Sequence, residues 1–371
     1  MLARPALLAL VSIVLSSAAV GLAHAQIGSD RYAAIVVDAR SGTVLLQDHP
    51  DEPRFPASLT KMMTLYLTFE ALRDHRVNLN EPVPVSANAA AMPPTKLGLL
   101  PGTYITVEQA MLGLVTKSAN DAASALGEML GGDEDRFAQL MTLRARGLGM
   151  TNTTFHNASG LPDYGQVTTA RDMATLGRRL IDDFPAYYHY FSVPSFVFQG
   201  RHVLNHQRML QTYPGADGLK TGYIEASGYN VVTSAVHGDV RLVGVVMGAS
   251  SGGERDQQMA SLLDQGFART GAPVMARSAT PNRMASLIAA AQAQQGLPAV
   301  NTAPYAASPQ VYYSPHPLRT REVAAAPAIR HVAVRPGSTR VRQGTIPTPP
   351  TQTRAPPLPR GVRPLPPGYG Y

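Results

Sequence analysis

Residues 55–61 read Phe55-Pro56-Ala57-Ser58-Leu59-Thr60-Lys61, and an apolar stretch, Met62-Met63-Thr64-Leu65-Tyr66-Leu67, follows them. Pro56 suits the start of a helix, where its missing N–H leaves no hydrogen bond unmade. The residues after Lys61 are apolar nearly all round, which predicts a helix that runs through a core to about residue 72. Because Ser58 and Lys61 lie three positions apart, they share one face of this helix. The stretch therefore predicts a fold built around a buried helix that begins with a serine and a lysine.

A serine next to a buried lysine has a chemical use. Burial favours the neutral amine, and a neutral amine can accept the proton of the serine hydroxyl. Arginine cannot replace it, because arginine keeps its proton in proteins. The chain has 28 arginines and only four lysines, which are Lys61, Lys96, Lys117 and Lys220. Taken alone, Ser-x-x-Lys also fits a helix-capping serine followed by a surface lysine.

The composition allows one large globular domain and an additional segment. The chain has 371 residues, of which 44% are hydrophobic and 15% charged, and it has no cysteine, which excludes disulfides and cysteine-ligated metals. Residues 1–25 have the pattern of a secretory signal, with Arg4, an apolar run over 6–22 and the cleavage site Ala23-His24-Ala25. Cleavage there predicts a mature chain that begins at Gln26, without a transmembrane anchor, in the periplasm or cell envelope.

The net charge of +7 is concentrated near the end of the chain. Residues 301–371 contain nine arginines and one glutamate, so the rest of the chain is close to neutral, which argues against a nucleic-acid-binding face. The same residues hold 15 of the 31 prolines and show little hydrophobic period. This predicts a largely disordered tail over 276–371. Its arginines can attract anionic envelope polymers, and an inert solvated extension fits the composition as well.

Between signal and tail, residues 26–275 predict a single domain of the α+β type. Strand patterns at both ends bracket a helical middle, so one sheet with helices packed on it is expected. The last three strand patterns are too closely spaced for parallel crossovers, which predicts antiparallel pairing. The predicted strands are 32–37 and 43–47, joined by a turn at Gly42, then 196–202, 218–224, 229–237 and 240–247. The predicted helices are 58–72, 106–115 with a capping box at its start, 121–130, 134–148, 169–181 and 254–267, with one more at 281–295. Residues 78–103 are interpreted as a connection.

Two further short motifs carry side chains suited to the same chemistry. Ser118-Ala119-Asn120 falls at a break between two predicted helices, where side chains can face a cleft. Lys220-Thr221-Gly222 lies on a predicted strand, so Lys220 and Gly222 share one face, and the glycine allows a ligand to approach the backbone. Each motif alone also fits a cap, a turn or a strand end. Three motifs in this order are far more specific than any one of them.

With these motifs the chain resembles the serine-type D-alanyl-D-alanine carboxypeptidases, which are low-molecular-mass penicillin-binding proteins. The resemblance covers about residues 31–267 and includes the stretches 38–45, 56–64, 118–123, 148–150, 159–161, 168–176 and 217–223. It implies the penicillin-recognising fold, an antiparallel sheet flanked by helices with a helical subdomain. It further implies a peptidoglycan stem peptide as substrate, acylation by β-lactams, no cofactor, and a role in peptidoglycan remodelling and cell shape.

The resemblance also assigns roles to individual residues. Ser58 would form the acyl-enzyme, Lys61 would accept its proton, and Ser118 would pass a proton to the leaving D-alanine. Asn120 would hold Lys61 and the substrate amide. The residues implied in substrate binding are Lys220, Thr221, Gly222, Tyr223 and Arg255, with Lys220 giving positive potential and Thr221 and Arg255 contacting the terminal carboxylate.

The resemblance places the oxyanion hole at the backbone N–H groups of Ser58 and Tyr223. One departure from the family pattern concerns fine substrate contacts. Ile224 stands two places after the Lys-Thr-Gly motif, where the family often has a hydroxyl residue.

Several alternatives remain open from the sequence. A D,D-endopeptidase that cleaves cross-links would carry the same three motifs, whereas a class A β-lactamase would also need a Glu-x-x-Leu-Asn signature, which is absent. An inactive peptidoglycan-binding protein is a non-enzymatic alternative. Gly248-Ala249-Ser250-Ser251-Gly252 matches the Gly-x-Ser-x-Gly of α/β-hydrolases, but the strands before it are predicted antiparallel and the later histidines lie in the tail. No metal site is predicted from the sequence.

Overall fold

The computed structural model describes residues 30–273 and residue 275. The predicted signal, the tail and the helix at 281–295 lie outside the described residues. The strands are β1 Ala33–Asp38, β2 Val44–Asp48, β3 Pro82–Pro84, β4 Tyr104–Thr106, β5 Ser195–Phe198, β6 Arg201–Leu204, β7 Ala216–Ile224, β8 Gly228–His237 and β9 Val240–Ala249. The helices are α1 Lys61–Arg73, α2 Ala87–Ala91, α3 Val107–Thr116, α4 Asn120–Gly131, α5 Glu134–Gly147, α6 Ala170–Asp183, α7 Pro185–Tyr188, α8 Met209–Thr212 and α9 Gly252–Thr270.

The main sheet has five strands in the order β2-β1-β9-β8-β7, and every neighbouring pair is antiparallel. The first strand of the domain therefore pairs with the last one, with Ala33 opposite Met247 and Asp38 opposite Leu242. Alternation along β1 places Ile35 in the core that contains α1 and α6, and Val36 in the core under α9. The sheet is thus covered by helices on both faces. The predicted α+β class and antiparallel sheet are confirmed.

Helix α1 runs through the interior, as its apolar sequence predicts. A short 3₁₀ turn, Ala57–Thr60, leads into it, and eleven of its thirteen residues are buried. The ring of Phe69 packs on Phe184, Tyr187 and Phe191, with centroid distances of 5.4–6.0 Å. Replacing a fully buried side chain such as Leu65 with alanine would cost about 2–5 kcal/mol.

The helical layer next to α1 contains α3, α4 and α5. The capping box at the start of α3 is present: the Thr106 hydroxyl accepts from the N–H of Gln109, and the Gln109 side chain accepts from the N–H of Thr106. None of the helices within residues 30–273 combines the length and the apolar character needed to cross a membrane.

The sequence predictions missed the short helices α7 and α8, and they differ from the structure in two further segments. Residues 78–103, interpreted as a connection, contain β3 and α2, and β3 pairs with β4. Strand β3 was not predicted because it has a proline at each end, and proline is disfavoured in strands except at sheet edges. The single strand predicted at 196–202 is a hairpin of β5 and β6 that turns at Gln199 and Gly200, both with positive φ.

Candidate active site

The segment that carries Ser58 is fixed by the ends of strands β8 and β9. The buried amide of Asn230 donates from Nδ2 to the carbonyls of Phe55 and Pro56 at 3.0 and 3.3 Å, and its Oδ1 accepts from the N–H of Gly248 at 3.0 Å. Ser58 itself is only partly buried, so its hydroxyl can be reached from outside. Sequence reasoning missed Asn230, because a single strand asparagine has no signature of its own.

Two glycines press against the backbone of the same turn. A Cβ built on Gly160 would lie 1.9 Å from the carbonyl oxygen of Ala57, and the φ of Gly160 is +85°. A Cβ built on Gly222 would lie 3.0 Å from the backbone nitrogen of Ser58. A side chain at either position would displace backbone rather than a flexible neighbour. The peptide of Ser58 is therefore seated between two other backbones, one from the 157–161 loop and one from β7.

Lys61 is fully buried and makes three hydrogen-bond contacts. Its Nζ lies 3.1 Å from Ser58 Oγ, 2.7 Å from Asn120 Oδ1 and 2.5 Å from the carbonyl oxygen of Ser159. Two of these partners can only accept. A neutral amine, which has two N–H bonds, would use both on them and turn its lone pair to Ser58 Oγ. The contacts therefore orient Lys61 as a base toward the serine proton.

Electrostatics favour this neutral form. The pKa of Lys61 is held well below its usual value by burial and then by the ammonium of Lys220, while Asp121 and Glu134 act in the opposite direction. The group at position 61 is thus a buried amine ready to accept a proton.

The two acceptors of Lys61 are themselves held in place. Asn120 Nδ2 donates to the carbonyl of Pro93 at 2.9 Å, so its amide is engaged within the protein on both sides. Asn157 Oδ1 accepts from the N–H groups of Ser159 and Gly160 at 3.2 and 2.7 Å, which fixes the Ser159 carbonyl. The contact between Lys61 and Ser159 was missed from the sequence, because any residue can supply a backbone carbonyl.

Asp121 organises the chain that faces this site. Its carboxylate is fully buried and accepts from four backbone N–H groups at 2.8–3.0 Å. Three of them belong to Leu97, Gly98 and Leu99, so Asp121 ties the 97–99 backbone to the start of α4. The sequence placed Asp121 next to Asn120 without a role for it.

Ser118 lies two residues before Asn120, but its hydroxyl forms no hydrogen bond with Ser58, Lys61 or Asn120. Its φ is +60°, a conformation that few non-glycine residues adopt. Its carbonyl accepts from Thr95 Oγ1 at 2.9 Å, whereas its buried Oγ has no hydrogen-bond partner within the part of the chain that the structure describes. Buried hydroxyls are normally satisfied, so this one is available to a bound molecule.

Lys220 lies on the buried face of β7, and its Nζ donates to the carbonyl of Thr221 at 2.8 Å. Burial, and then the charge of Arg255, lower the pKa of Lys220 to about 7. Arg255 is buried rather than solvated, and its Nη2 lies 2.7 Å from Asp256 Oδ1. Tyr223 is half exposed, with its ring 4.3 Å from that of Tyr229.

The alternative serine motif has a structural use. The hydroxyl of Ser250 hydrogen-bonds to the Glu254 carboxylate, and the side chain of Ser251 caps α9 by accepting from the N–H of Glu254. The strand before the motif, β9, lies in a wholly antiparallel sheet. This arrangement is a helix cap, not a nucleophile elbow. Among the described residues no group of three or more histidine, aspartate or glutamate side chains is placed to hold a metal ion.

Comparisons with known proteins identify the family to which the chain is similar. The family described as D-alanyl-D-alanine carboxypeptidase, peptidase S11, matches residues 18–251. D-alanyl-D-alanine carboxypeptidase DacC of Escherichia coli (strain K12) is 39% identical over 245 residues, which make up 64% of this chain and 61% of the relative. DacF of Bacillus subtilis (strain 168) is 33% identical over 260 residues, 67% of this chain and 65% of the relative. The chain thus spans less than two thirds of the length of these two relatives.

Solved structures show the same fold. The structure of penicillin binding protein 5 from Haemophilus influenzae matches with a TM-score of 0.63 and 33% identity, over 66% of this chain and 72% of that one. The D-alanyl-D-alanine carboxypeptidase DacD from Francisella tularensis matches with a TM-score of 0.61 and 30% identity, over 63% of this chain and 69% of that one.

Proposed function

The chain belongs to the D-alanyl-D-alanine carboxypeptidase family, and we propose that it removes the terminal D-alanine from peptidoglycan pentapeptides through an acyl-enzyme on Ser58. The observation that carries the proposal is the buried Lys61, whose Nζ lies 3.1 Å from Ser58 Oγ while Asn120 and Ser159 accept its other hydrogen bonds. A lysine with these partners and a lowered pKa is suited to activate a serine.

In the acylation step, Ser58 Oγ attacks the carbonyl carbon of the penultimate D-alanine and its proton moves to Lys61 Nζ. The new C–O bond produces an oxyanion, which the N–H groups of Ser58 and Tyr223 would stabilise. Removing one such donor typically costs about 3–4 kcal/mol of barrier. The C–N bond then breaks, and the leaving D-alanine takes a proton through Ser118 Oγ, whose hydroxyl has no hydrogen-bond partner among the described residues. Water completes the cycle by hydrolysing the ester.

The terminal carboxylate of the substrate would be held by Lys220, Thr221 and Arg255. The charge of Lys220 contributes below its pKa of about 7, and the guanidinium of Arg255 supplies a second cationic group. A cationic site at this point selects a free C-terminus, which distinguishes a terminal D-alanine from an internal residue. Gly222 would let the substrate backbone run close along β7.

The proposal extends to the setting of the enzyme. Export through the signal at 1–25 would bring the chain to the periplasm or cell envelope, where it would trim peptidoglycan and influence cell shape. A β-lactam mimics the scissile amide and would acylate Ser58 in the same way. The arginine-rich tail would add attraction to anionic envelope polymers.

Mass spectrometry of the protein after incubation with a penicillin tests the proposal. We expect a stable adduct on the peptide that contains Ser58, lost in Ser58→Ala and kept in the matched control Ser250→Ala. Release of D-alanine from a monomeric pentapeptide should disappear in the same variant. An adduct on Ser250, or no adduct with a folded protein, would refute the assignment.

A further inference from the structure

The carboxylate of Asp256, near the N-terminal end of helix α9, joins two arginines. Its Oδ1 accepts from Nε and Nη2 of Arg255 at 2.9 and 2.7 Å. Its Oδ2 accepts from Nε and Nη2 of Arg208, the N-cap residue of α8, at 3.1 and 2.9 Å. One carboxylate thus receives a guanidinium edge on each of its oxygens, and both oxygens are engaged within the protein.

The two arginines differ in their need for this carboxylate. The side chain of Arg255 is 7% exposed and that of Asp256 14%, whereas that of Arg208 is 60% exposed. A buried cation is costly without a counter-ion, and Asp256 is the carboxylate that forms an ion pair with Arg255 in the part of the chain that the structure describes. Water can solvate Arg208 in place of Asp256, so that pair contributes little to stability.

The pairing leaves one side of the Arg255 guanidinium free. A guanidinium has five N–H donors in a rigid plane, and Asp256 takes those of Nε and one of Nη2. Nη1 has no hydrogen-bond partner among the described residues, yet it is not sealed from solvent. Because the plane is rigid, holding one edge also fixes the direction of the N–H groups that remain.

Arg255 is held close to a second cation. Its charge is the largest cause, after burial, of the lowered pKa of Lys220, so the two side chains lie near each other. Like charges repel most strongly where little water separates them. Without a carboxylate behind it, the Arg255 guanidinium would be favoured to turn away from Lys220 toward solvent. Asp256 opposes this movement.

We propose that Asp256 is a positioning residue for the reaction: it holds the guanidinium of Arg255 beside Lys220, with its free N–H groups available to the terminal carboxylate of the substrate. The inference rests on the proposed function, in which Lys220 and Arg255 bind that carboxylate. Asp256 does not touch the substrate, and it acts on the affinity for a free C-terminus rather than on the chemistry of Ser58.

Two thioesters with the same N-acyl-D-alanyl group test the proposal. One has mercaptoacetate as its leaving group, which carries a carboxylate, and the other has mercaptoacetamide, which is neutral and of the same size. In the wild type we expect kcat/KM to favour the carboxylate roughly ten- to hundredfold, as hydrogen bonds between charged groups do. Asp256→Ala should lower this ratio roughly three- to tenfold, through a higher KM for the carboxylate thioester. The kinetics of the neutral thioester should stay unchanged.

Two further variants separate positioning from a structural role. Arg208→Met removes the other half of the same ionic link, so it would reproduce the loss if Asp256 only tied α8 to α9. We expect this variant to keep the wild-type ratio. Arg255→Met should lose most of the carboxylate preference. Adding Asp256→Ala to it should change nothing more, because Asp256 acts through Arg255.

The outcomes distinguish this proposal from the proposed function. Equal kcat/KM for the two thioesters in the wild type, an unchanged or higher ratio in Asp256→Ala, an equal loss in Arg208→Met, or a further loss in the Arg255→Met background would each overturn the positioning role. Acyl transfer on Ser58 would still stand. If Asp256→Ala does not fold, Asp256→Asn, which keeps the shape and removes the charge, decides in the same direction. If the wild type hydrolyses neither thioester and forms no penicillin adduct, the proposed function fails, and the positioning role fails with it.

Discussion

Substitution of Gly160 by alanine tests how Ser58 is seated, because the change acts on its backbone and not on a catalytic side chain. The new Cβ would lie 1.9 Å from the Ala57 carbonyl oxygen, which is roughly 1.5 Å inside an ordinary contact of about 3.5 Å. The φ of +85° adds about 1–2 kcal/mol for any L side chain. Overpacking typically costs a further 1–3 kcal/mol. We expect Gly160→Ala to lower the free energy of unfolding by about 2–5 kcal/mol.

Gly149 is a matched control for the conformational part of this cost. Its φ is +86°, and a Cβ there would meet nothing within 4 Å. Gly149→Ala should therefore lose only about 1–2 kcal/mol. The difference between the two variants then measures the clash alone.

Two assays read the result. Urea unfolding followed by circular dichroism gives stability, since the chain has no tryptophan for fluorescence. The second-order rate of acylation by a fluorescent penicillin reports the position of Ser58, and a displacement of about 1 Å should reduce it about 100-fold. Gly149→Ala should acylate at the wild-type rate.

The reasoning is wrong if the two variants lose the same free energy of unfolding within about 0.5 kcal/mol and are acylated by the penicillin at the same rate. Should Gly160→Ala fail to fold, Gly222→Ala replaces it. The Cβ at position 222 would lie 3.0 Å from the Ser58 nitrogen, without an unfavourable φ. Its acylation rate should also fall. An unchanged rate would contradict the inference that close backbone packing holds Ser58 in position.

Three further predictions concern the charged groups. Lys61→Arg should reduce the rate of penicillin acylation about 10²–10⁴-fold, because arginine stays protonated and cannot act as the base; a residual rate above a tenth of wild type would contradict this. Lys220 has a pKa of about 7 in the folded protein, below its value in the unfolded chain, so the unfolded state binds more protons and stability should rise from about pH 7 to pH 10. Urea titrations of Lys220→Met should show a flatter dependence, and an equal slope would exclude Lys220 as the cause. Asp121→Asn should lower stability by about 1–3 kcal/mol through the backbone N–H groups of 97–99. Because Asp121 raises the pKa of Lys61, the same variant should also move the acidic limb of the acylation–pH profile to lower pH; a shift to higher pH would oppose this reasoning.

The sequence predicted the parts of this protein that depend on local patterns. Helix α1 follows from a continuous apolar run, and the contact between Ser58 and Lys61 follows from a spacing of three. Strands β8 and β9 follow from β-branched runs, and β7 follows from its short connection to β8. In each case the side chains that determine the element lie within a few residues of one another.

The parts that the sequence did not predict depend on long-range packing. The close approach of Gly160 to the Ala57 carbonyl exists only because the 157–161 loop folds over the 3₁₀ turn. Glycine is so common in loops that its presence does not predict such a contact. The β5–β6 hairpin was interpreted as one strand, because Gln199-Gly200 is a weak turn signal. The cavity lined by Lys96, Lys117 and Arg201 is formed by segments far apart in the chain, so its lysines have no local sequence pattern.

The pairing of β1 with β9 has a consequence for biogenesis. Synthesis delivers β1 and the nucleophile early, but β9, β8 and the Lys220 strand that complete the sheet come last. Contacts of such long sequence separation close slowly. A nascent chain that stops before residue 240 lacks β9 entirely, so β1 has no inner neighbour and the Asn230–Gly248 tether of Ser58 cannot form. Reactivity toward a penicillin would therefore begin only after the last strand has been synthesised. An incomplete chain would not react at Ser58.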